Sequence, residues 1–434
     1  MATAKNGSNK LGPDDRAAHD WYRFVLSFPP HLVREYLDRF ELRADQRVLD
    51  PFCGTGTTVV ECKKRGIASV GIEANPMAHF ATQVKIDWGP DPDGLIRHAN
   101  AVAEAALREL AAARIVDDTL PLFNEVEPDR QTELKTLSPD CAKLLLTNSI
   151  SPRPLHKTLV LLGHIERQRD ERFYRHERLA LARALVFSIS NLEFGPEVGV
   201  GSVKGDAAVI APWLDAVYAM AGDLRALHER QDTPSIAFHA DARQMISALA
   251  PGSVDAVITS PPYPNEKDYT RTTRLEMVLL GFVHNRTELQ SLKRGLIRSN
   301  TRSVYRNDDD DRWVDNYPEI QRIAEAIEAR RIELGKTSGF ERMYARVTKL
   351  YFGGMARHLS DLRGVLRPGA HLAYVVGDQA SYLRVMIRTG QLLAEIAQSL
   401  GYELVGIDLF RTRLATATKE QLREEVVVLK WPEH

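Results

Sequence analysis

Cysteine is scarce in this 434-residue chain, with three in all, Cys53, Cys62 and Cys141. They form neither a disulfide framework nor a paired metal-ligand spacing, which fits a reducing compartment and a protein without a structural metal. No apolar run is long enough to span a bilayer. The segment Met1 to Pro13 is polar and lacks an apolar signal core, so the expectation is a cytoplasmic protein, nucleoid-associated if it acts on DNA, with no membrane attachment. An excess of one charge is also missing. The 57 Lys and Arg against 58 Asp and Glu leave a formal net charge of −1. A polyanionic partner would therefore have to be met by local charge. No internal repeat or long low-complexity tract occurs. The remaining composition, 44% hydrophobic and 26% charged, is ordinary for a globular protein with a large core, and the length allows two or three domains.

The most informative stretch present is Ser260-Pro261-Pro262-Tyr263. It follows Val254 to Thr259, a β-branched apolar run that predicts a buried strand. Two prolines fix φ and remove two backbone donors, and each residue before a proline is pushed to an extended conformation. The product is a stiff rim of carbonyl oxygens and one hydroxyl beside an aromatic face. Such a rim suits a flat ring with an exocyclic amino group, as in a flipped cytosine or adenine. A proline-terminated strand followed by a turn is the plain structural alternative.

A second motif lies far upstream. Val48-Leu49-Asp50-Pro51-Phe52-Cys53-Gly54-Thr55-Gly56-Thr57-Thr58 runs from a short strand through a glycine turn into a helix over Thr58 to Arg65. Glycines admit close approach of a ligand to the backbone. This is not a phosphate-binding loop, which needs Gly-Lys-Ser/Thr after its glycines. The chain's Gly335-Lys336-Thr337 has Arg330 where that loop's first glycine belongs. It is also a poor dinucleotide fingerprint, because Val59 occupies the third glycine position. The next strand, Ala68 to Glu73, ends in an acid, as does Ile236 to Asp241 just before the strand leading to Ser260. Acids there suit ribose hydroxyls.

With these residues together, the chain resembles the amino-group DNA methyltransferases, enzymes that methylate cytosine N4 or adenine N6. Asp50-Pro-Phe-Cys-Gly-Thr-Gly-Thr57 resembles their cofactor motif and Ser260-Pro-Pro-Tyr263 their catalytic motif. Phe28-Pro29, ahead of an amphipathic segment from Leu32 to Phe40, resembles the element that closes over the methionine end of the cofactor. The resemblance implies S-adenosylmethionine as cofactor, yielding S-adenosylhomocysteine, with no metal. It implies cofactor contacts from Phe28, Asp50, Pro51, Phe52, Cys53, Gly54, Gly56 and Thr57, with Glu73 on the ribose and Asp241 on the adenine amino group. It implies double-stranded DNA as partner, and a restriction-modification or related host-protection role in which a cognate restriction endonuclease is a natural partner. Motif coverage runs from about Trp21 to Trp431. Many relatives with Ser-Pro-Pro-Tyr place it before the cofactor motif, whereas here the cofactor motif comes first.

The residues suggest the chemistry. Ser260 Oγ and the Pro261 carbonyl would accept the two amino hydrogens and aim the nitrogen lone pair, so transfer is a direct displacement helped by positioning and electrostatics. Tyr263 would stack on the base for roughly 1–3 kcal/mol. Ring-carbon methylation is disfavoured because no cysteine follows a proline, and zinc deamination because its motif pair is absent. Ser at the first catalytic position usually accompanies cytosine N4 in the resembling family, so cytosine is favoured over adenine. An RNA methyltransferase, a glutamine-methylating relative and a non-catalytic cofactor-binding sensor are the alternatives. For phosphate contacts the expectation is Arg271, Arg274, Lys293, Arg294 and Arg298. A second cluster, Arg167 to Arg178, reads almost equally well as a solvated helix face. The acidic run Asp308 to Asp311 reads as a solvated loop.

The expected fold is α/β, a seven-stranded doubly wound (Rossmann-like) methyltransferase sheet with helical insertions and an antiparallel last strand. Residues 1–15 are expected as a flexible tail, and 16–89 with 234–434 as the catalytic domain. A mostly helical insertion over 90–233 is the candidate target-recognition domain, with a second helical insertion at 284–345. Ser151 to Lys157 and Phe194 to Gly205 are expected as loops. A turn is expected at Arg367-Pro-Gly369, after a helix over Met355 to Leu366.

Overall fold

The computed structural model describes residues 11–22, 27–117, 133–194, 198–265, 267–414 and 421–433. Seven strands form one sheet: β1 (Arg47–Asp50), β2 (Ala68–Glu73), β3 (Ser235–His239), β4 (Val254–Thr259), β5 (Leu366–Gly377), β6 (Glu403–Leu414) and β7 (Gln421–Lys430). Their order across the sheet is β3-β2-β1-β4-β5-β7-β6. The first five strands are parallel to one another, and β7 runs antiparallel to both β5 and β6. The order reverses between β1 and β4, so the loops leaving their carboxyl ends diverge and open a crevice there.

Alternation along the strands separates two cores. Val48, Ile258, Ala373, Val375, Val426 and Val428 face one side, where Leu32, Val33, Tyr36 and Leu37 of helix α1 (Pro30–Arg39) pack with Cys62 of α2 (Thr57–Lys64). Leu49, Val257, Leu372, Tyr374, Val376, Val427 and Leu429 face the other, against Tyr351, Met355 and Leu359 of helix Tyr344–Leu362 and Leu392 and Leu393 of helix Thr389–Ser399. Burial on both faces is why these strands carry near-continuous apolar runs. Helix α1 begins with Pro30 in its first turn, where no N–H is needed. Helix α3 (Pro76–Lys85) is capped by Asn75, whose side chain accepts from the Met77 and Ala78 amides.

The segment between β2 and β3 is mostly helical. Helices Pro92–Ala112, Pro152–Arg167, Tyr174–Ala184 and Ile210–Leu227 share a third core with α3 around Trp88 and Trp213. The second insertion carries helices Arg286–Arg294 and Pro318–Glu333. No helix among the described residues is long and apolar enough to cross a membrane.

Several local expectations are corrected. Ser151 to Lys157 is not a loop: Ser151 stands at the helix N-cap and Pro152 takes the first turn. Lys157 is fully buried there, with Nζ 2.9 Å from Asp206 and 3.5 Å from Asp117. The glycine-rich stretch contributes Leu192–Phe194 and Val198–Val200 to a two-stranded antiparallel pair, and residues 195–197 lie outside the described residues. Of the expected tail, residues 1–10 also lie outside them, and Pro13–Asp15 form a 3-10 turn. Arg367-Pro-Gly369 belongs to β5, where the pairing with β4 shifts register between Val254 and Ala256 and absorbs the extra residues. The helix before it runs Tyr344–Leu362. The acidic run is ion-paired. Asp310 is 4% exposed and meets Arg243 and Arg357, Asp308 meets Arg298, and Asp311 meets Arg346. Burying one arginine among these carboxylates satisfies groups that would otherwise need water.

Candidate active site

The carboxyl ends of β1, β2 and β4 and the loop after β3 converge on one cavity of about 340 Å³. After β1, the Cys53 amide donates to Ile72 O at 3.0 Å and the Gly56 amide donates to Cys53 O at 2.7 Å, closing the turn. Gly54 and Gly56 have φ of 52° and 88°, a left-handed region that favours glycine. Gly71 on β2 is needed as well, because a Cβ there would lie 2.8 Å from Cys53 Sγ. Thr82 Oγ1 donates to Gly54 O at 2.8 Å and ties the turn to α3.

Glu73, at the end of β2, accepts from the Gly54 amide at 2.9 Å and the Asn75 amide at 2.7 Å. Burial pushes its carboxyl up to about 7, against the lowering effect of those two donors. Asp241 lies two residues beyond β3, in the loop and not on the strand. Arg243 Nε donates to its Oδ1 at 3.0 Å and Nη2 to its Oδ2 at 2.6 Å. Phe28, Pro51, Phe52, Cys53, Gly54, Thr57, Glu73 and Asp241 all line the cavity. Asp50 and Gly56 are not in its lining. Asp50 is fully buried behind the turn, accepting from Thr259 Oγ1 at 2.5 Å and the Phe52 amide at 3.1 Å. Burial raises it to about 6, and its Oδ2 has no partner among the described residues.

Ser260, Pro261, Pro262 and Tyr263 line the same cavity. Ser260 Oγ donates to Val375 O at 3.1 Å, so its proton is parked on β5 and its lone pairs remain to accept. The Tyr263 ring rests on the backbone of Gly377, where a Cβ would come within 3.0 Å of Cε2. Its amide donates to Tyr269 Oη at 3.4 Å. Burial, together with the nearby Glu424 carboxylate, raises the Tyr263 phenol well above its ordinary range.

The cations expected to meet phosphate are dispersed. Lys293 lines the cavity with its Nζ 2.7 Å from Asp268. Arg298 is 3% exposed and forks onto Asp308 at 2.8 and 2.9 Å. Arg274 donates to Thr270 O and Oγ1 and to Leu144 O. Arg271 is half-buried, and Arg294 is exposed beside the Tyr305 ring. Neither Arg271, Arg274, Arg294 nor Arg298 lines the cavity. In the other cluster, Arg167, Arg169 and Arg172 pair with Glu109, Glu171 and Asp170. Sequence reasoning missed Phe410, Arg411 and Arg413 of β6 and Glu424 of β7, which enter the lining from the far end of the chain. The alternation of the last hairpin was the available signal.

The comparisons agree with this geometry. A DNA methylase family model for N6 and N4 enzymes matches residues 5–83, which include the β1 turn and Glu73. The chain is 23% identical over 460 residues to the type II methyltransferase M.BsoBI of Geobacillus stearothermophilus, covering 96% of this chain and 84% of that protein. It is 24% identical over 467 residues to the type II methyltransferase M.AvaI of Nostoc sp., covering 98% and 88%. The chain is thus similar to DNA methylases of the N6 and N4 type over its β1 turn, and to type II methyltransferases over nearly its whole length. A shorter match, 35% identical over 68 residues, is to the type II methyltransferase M.MjaII of Methanocaldococcus jannaschii, over 16% of this chain and 13% of that protein. A single crevice holds both motifs of this chain, although about 200 residues separate Gly56 from Ser260.

Proposed function

We propose that this protein transfers a methyl group from S-adenosylmethionine to N4 of a cytosine flipped out of double-stranded DNA, as the protective half of a restriction-modification pair. The observation that carries the reading is the shared cavity, in which the Ser260–Tyr263 rim faces the same space as Glu73, Asp241 and the Gly54 turn. The names of the full-length relatives support DNA as substrate and the type II setting.

The residues fit the cofactor chemically. Glu73 and Asp241 offer carboxylate acceptors for ribose hydroxyls and an adenine amino group. A Cβ at Gly54 would meet nothing within 4 Å, so open space lies against the turn. Phe28 and Phe52 supply an aromatic wall suited to a cation. When bound, S-adenosylmethionine supplies an electrophilic methyl group on a sulfonium.

The protein's part is orientation. Ser260 Oγ accepts one amino hydrogen while its own proton stays on Val375 O, and the Pro261 carbonyl accepts the other. The nitrogen lone pair then points out of the ring plane and toward the cofactor end of the cavity. Tyr263, seated on Gly377, stacks on the base and keeps water from that face.

Nucleoside mass spectrometry on DNA from cells expressing the protein, beside Ser260→Ala, tests the reading. N4-methylcytosine that disappears in the variant supports it. N6-methyladenine would overturn the choice of base and keep the mechanism. No modified base in DNA, with a modified base in RNA, would overturn DNA as the substrate.

A further inference from the structure

The antiparallel end of the sheet brings two arginines to the catalytic rim. Arg411 and Arg413 on β6 and Glu424 on β7 line the cavity beside Tyr263. Arg411 pairs directly with Glu424 in the strand register, and Arg413 follows two residues on, on the same face. Glu424 is 8% exposed. Its Oε2 lies 2.6 Å from Arg411 Nε and its Oε1 lies 3.5 Å from Arg413 Nε. Its Cγ stands 3.4 Å from where a Cβ at Gly377 would be, and Gly377 is the seat of the Tyr263 ring. One carboxylate therefore links both guanidinium groups to the residue proposed to stack on the base.

Glu424 meets each arginine through Nε, and its contact with Arg413 at 3.5 Å does not use that residue's terminal Nη groups. The Arg413 side chain is 41% exposed at the cavity mouth. A half-exposed guanidinium held by a buried carboxylate is preorganised for an anion, and its planar fork matches phosphate oxygens. A flipped nucleotide brings its flanking phosphate to the mouth of the pocket that takes the base. By contrast, Lys293 and Arg298 are already spent on Asp268 and Asp308.

We propose that Arg411 and Arg413, oriented by Glu424, form the seat for the backbone phosphate that flanks the flipped nucleotide. The proposal rests on the reading of duplex DNA as substrate. It makes the last hairpin part of the DNA-binding surface, next to the base and independent of the helical insertions.

The test measures binding of a duplex carrying the methylated sequence to wild type, Arg413→Gln and the Arg411→Gln/Arg413→Gln double variant across a potassium chloride series. A second duplex carries a neutral methylphosphonate at the phosphate flanking the target base. Each phosphate contact contributes about 0.9 to the slope of log affinity against log salt, so the double variant, which loses this one contact, should lose about one from the slope. It should bind at least roughly tenfold more weakly at low salt. The methylphosphonate should weaken wild type and leave the double variant unchanged. S-adenosylmethionine affinity, measured alongside, should stay near wild type and shows that the variants are folded. An unchanged slope, or a methylphosphonate penalty that persists in the double variant, would overturn the seat. Wild type that binds no DNA at all would instead overturn the reading of the substrate.

Discussion

Arg243 grips Asp241 along both carboxylate oxygens, at 3.0 and 2.6 Å, and with its remaining nitrogen reaches Asp310 Oδ2 at 2.5 Å. It also donates to Arg294 O at 3.0 Å. The loop after β3 and the second insertion are thus joined by one arginine that is 8% exposed. Gly353 makes the approach possible, since a Cβ there would fall 1.8 Å from the Asp310 carbonyl oxygen. Within the acidic run, Asp308 and Asp310 hold the buried Arg298 and Arg243.

Arg243→Met should therefore destabilise the protein by about 3–5 kcal/mol, because it leaves the Asp241 carboxylate without its cation and the buried Asp310 with Arg357 alone. Arg243→Lys keeps the charge and loses the fork, and should fall between. Both should weaken S-adenosylmethionine binding, with Met the worse. Urea unfolding and calorimetric titration check this, and a wild-type midpoint for Arg243→Met would contradict it.

Gly377→Ala should act on the Tyr263 ring, because the added methyl lies 3.0 Å from Cε2 and the ring must shift by a few tenths of an ångström. A misplacement on that scale at a reacting centre should lower kcat by about tenfold. Cofactor affinity should be unchanged, because the added methyl meets Tyr263 and Glu424 and not the β1 turn. Single-turnover rates beside cofactor titration separate the two effects.

Cofactor affinity should rise with pH through about 7. Burial raises the Glu73 carboxyl to about that value. The ionised form is the better acceptor for ribose hydroxyls, so binding releases a proton and strengthens as pH climbs. For folding the sign is opposite. A carboxyl raised in the folded state binds its proton more tightly there, so its stabilisation is full below about 4.5 and is lost as pH rises toward 7. Titrations from pH 6 to 8 should show the rise in wild type and a flat profile in Glu73→Gln.

Tyr263→Ala and Asp241→Ala should divide the site. The first removes a stack worth roughly 1–3 kcal/mol and should slow transfer with cofactor binding nearly intact. The second should weaken the cofactor and leave Arg243 with Asp310 alone. Equal loss of cofactor binding in both would contradict the division.

Much of this was legible in the residues. The strands Ala68–Glu73 and Val254–Thr259 stand where their apolar, β-branched runs and flanking turns predict them. Their two motifs meet because parallel strands put their carboxyl ends on one edge. Other features were hidden by long-range pairing. Nothing near Arg298 in sequence distinguishes a cation for phosphate from one that turns back to Asp308, ten residues on. Asp241 reads as the end of a strand because Ile236-Ala-Phe-His-Ala240 runs up to it without a turn residue, yet β3 stops at His239. Gly377 and Glu424 carry no motif. Their meaning comes only from the register that sets them opposite one another beneath Tyr263.

The pairing of β2 with β3 has a consequence for the nascent chain. Glu73 and Ser235 are 162 positions apart, since 235 − 73 = 162. At ribosomal speeds, on the order of 10 s pass between their syntheses. Throughout that interval one edge of β2 is an open template for the wrong strand. The intervening helices share a core with α3, the helix that directly follows β2. The insertion thereby serves as a temporary guard for the growing sheet, and a chain from which it is deleted should aggregate during synthesis before any question of DNA recognition arises.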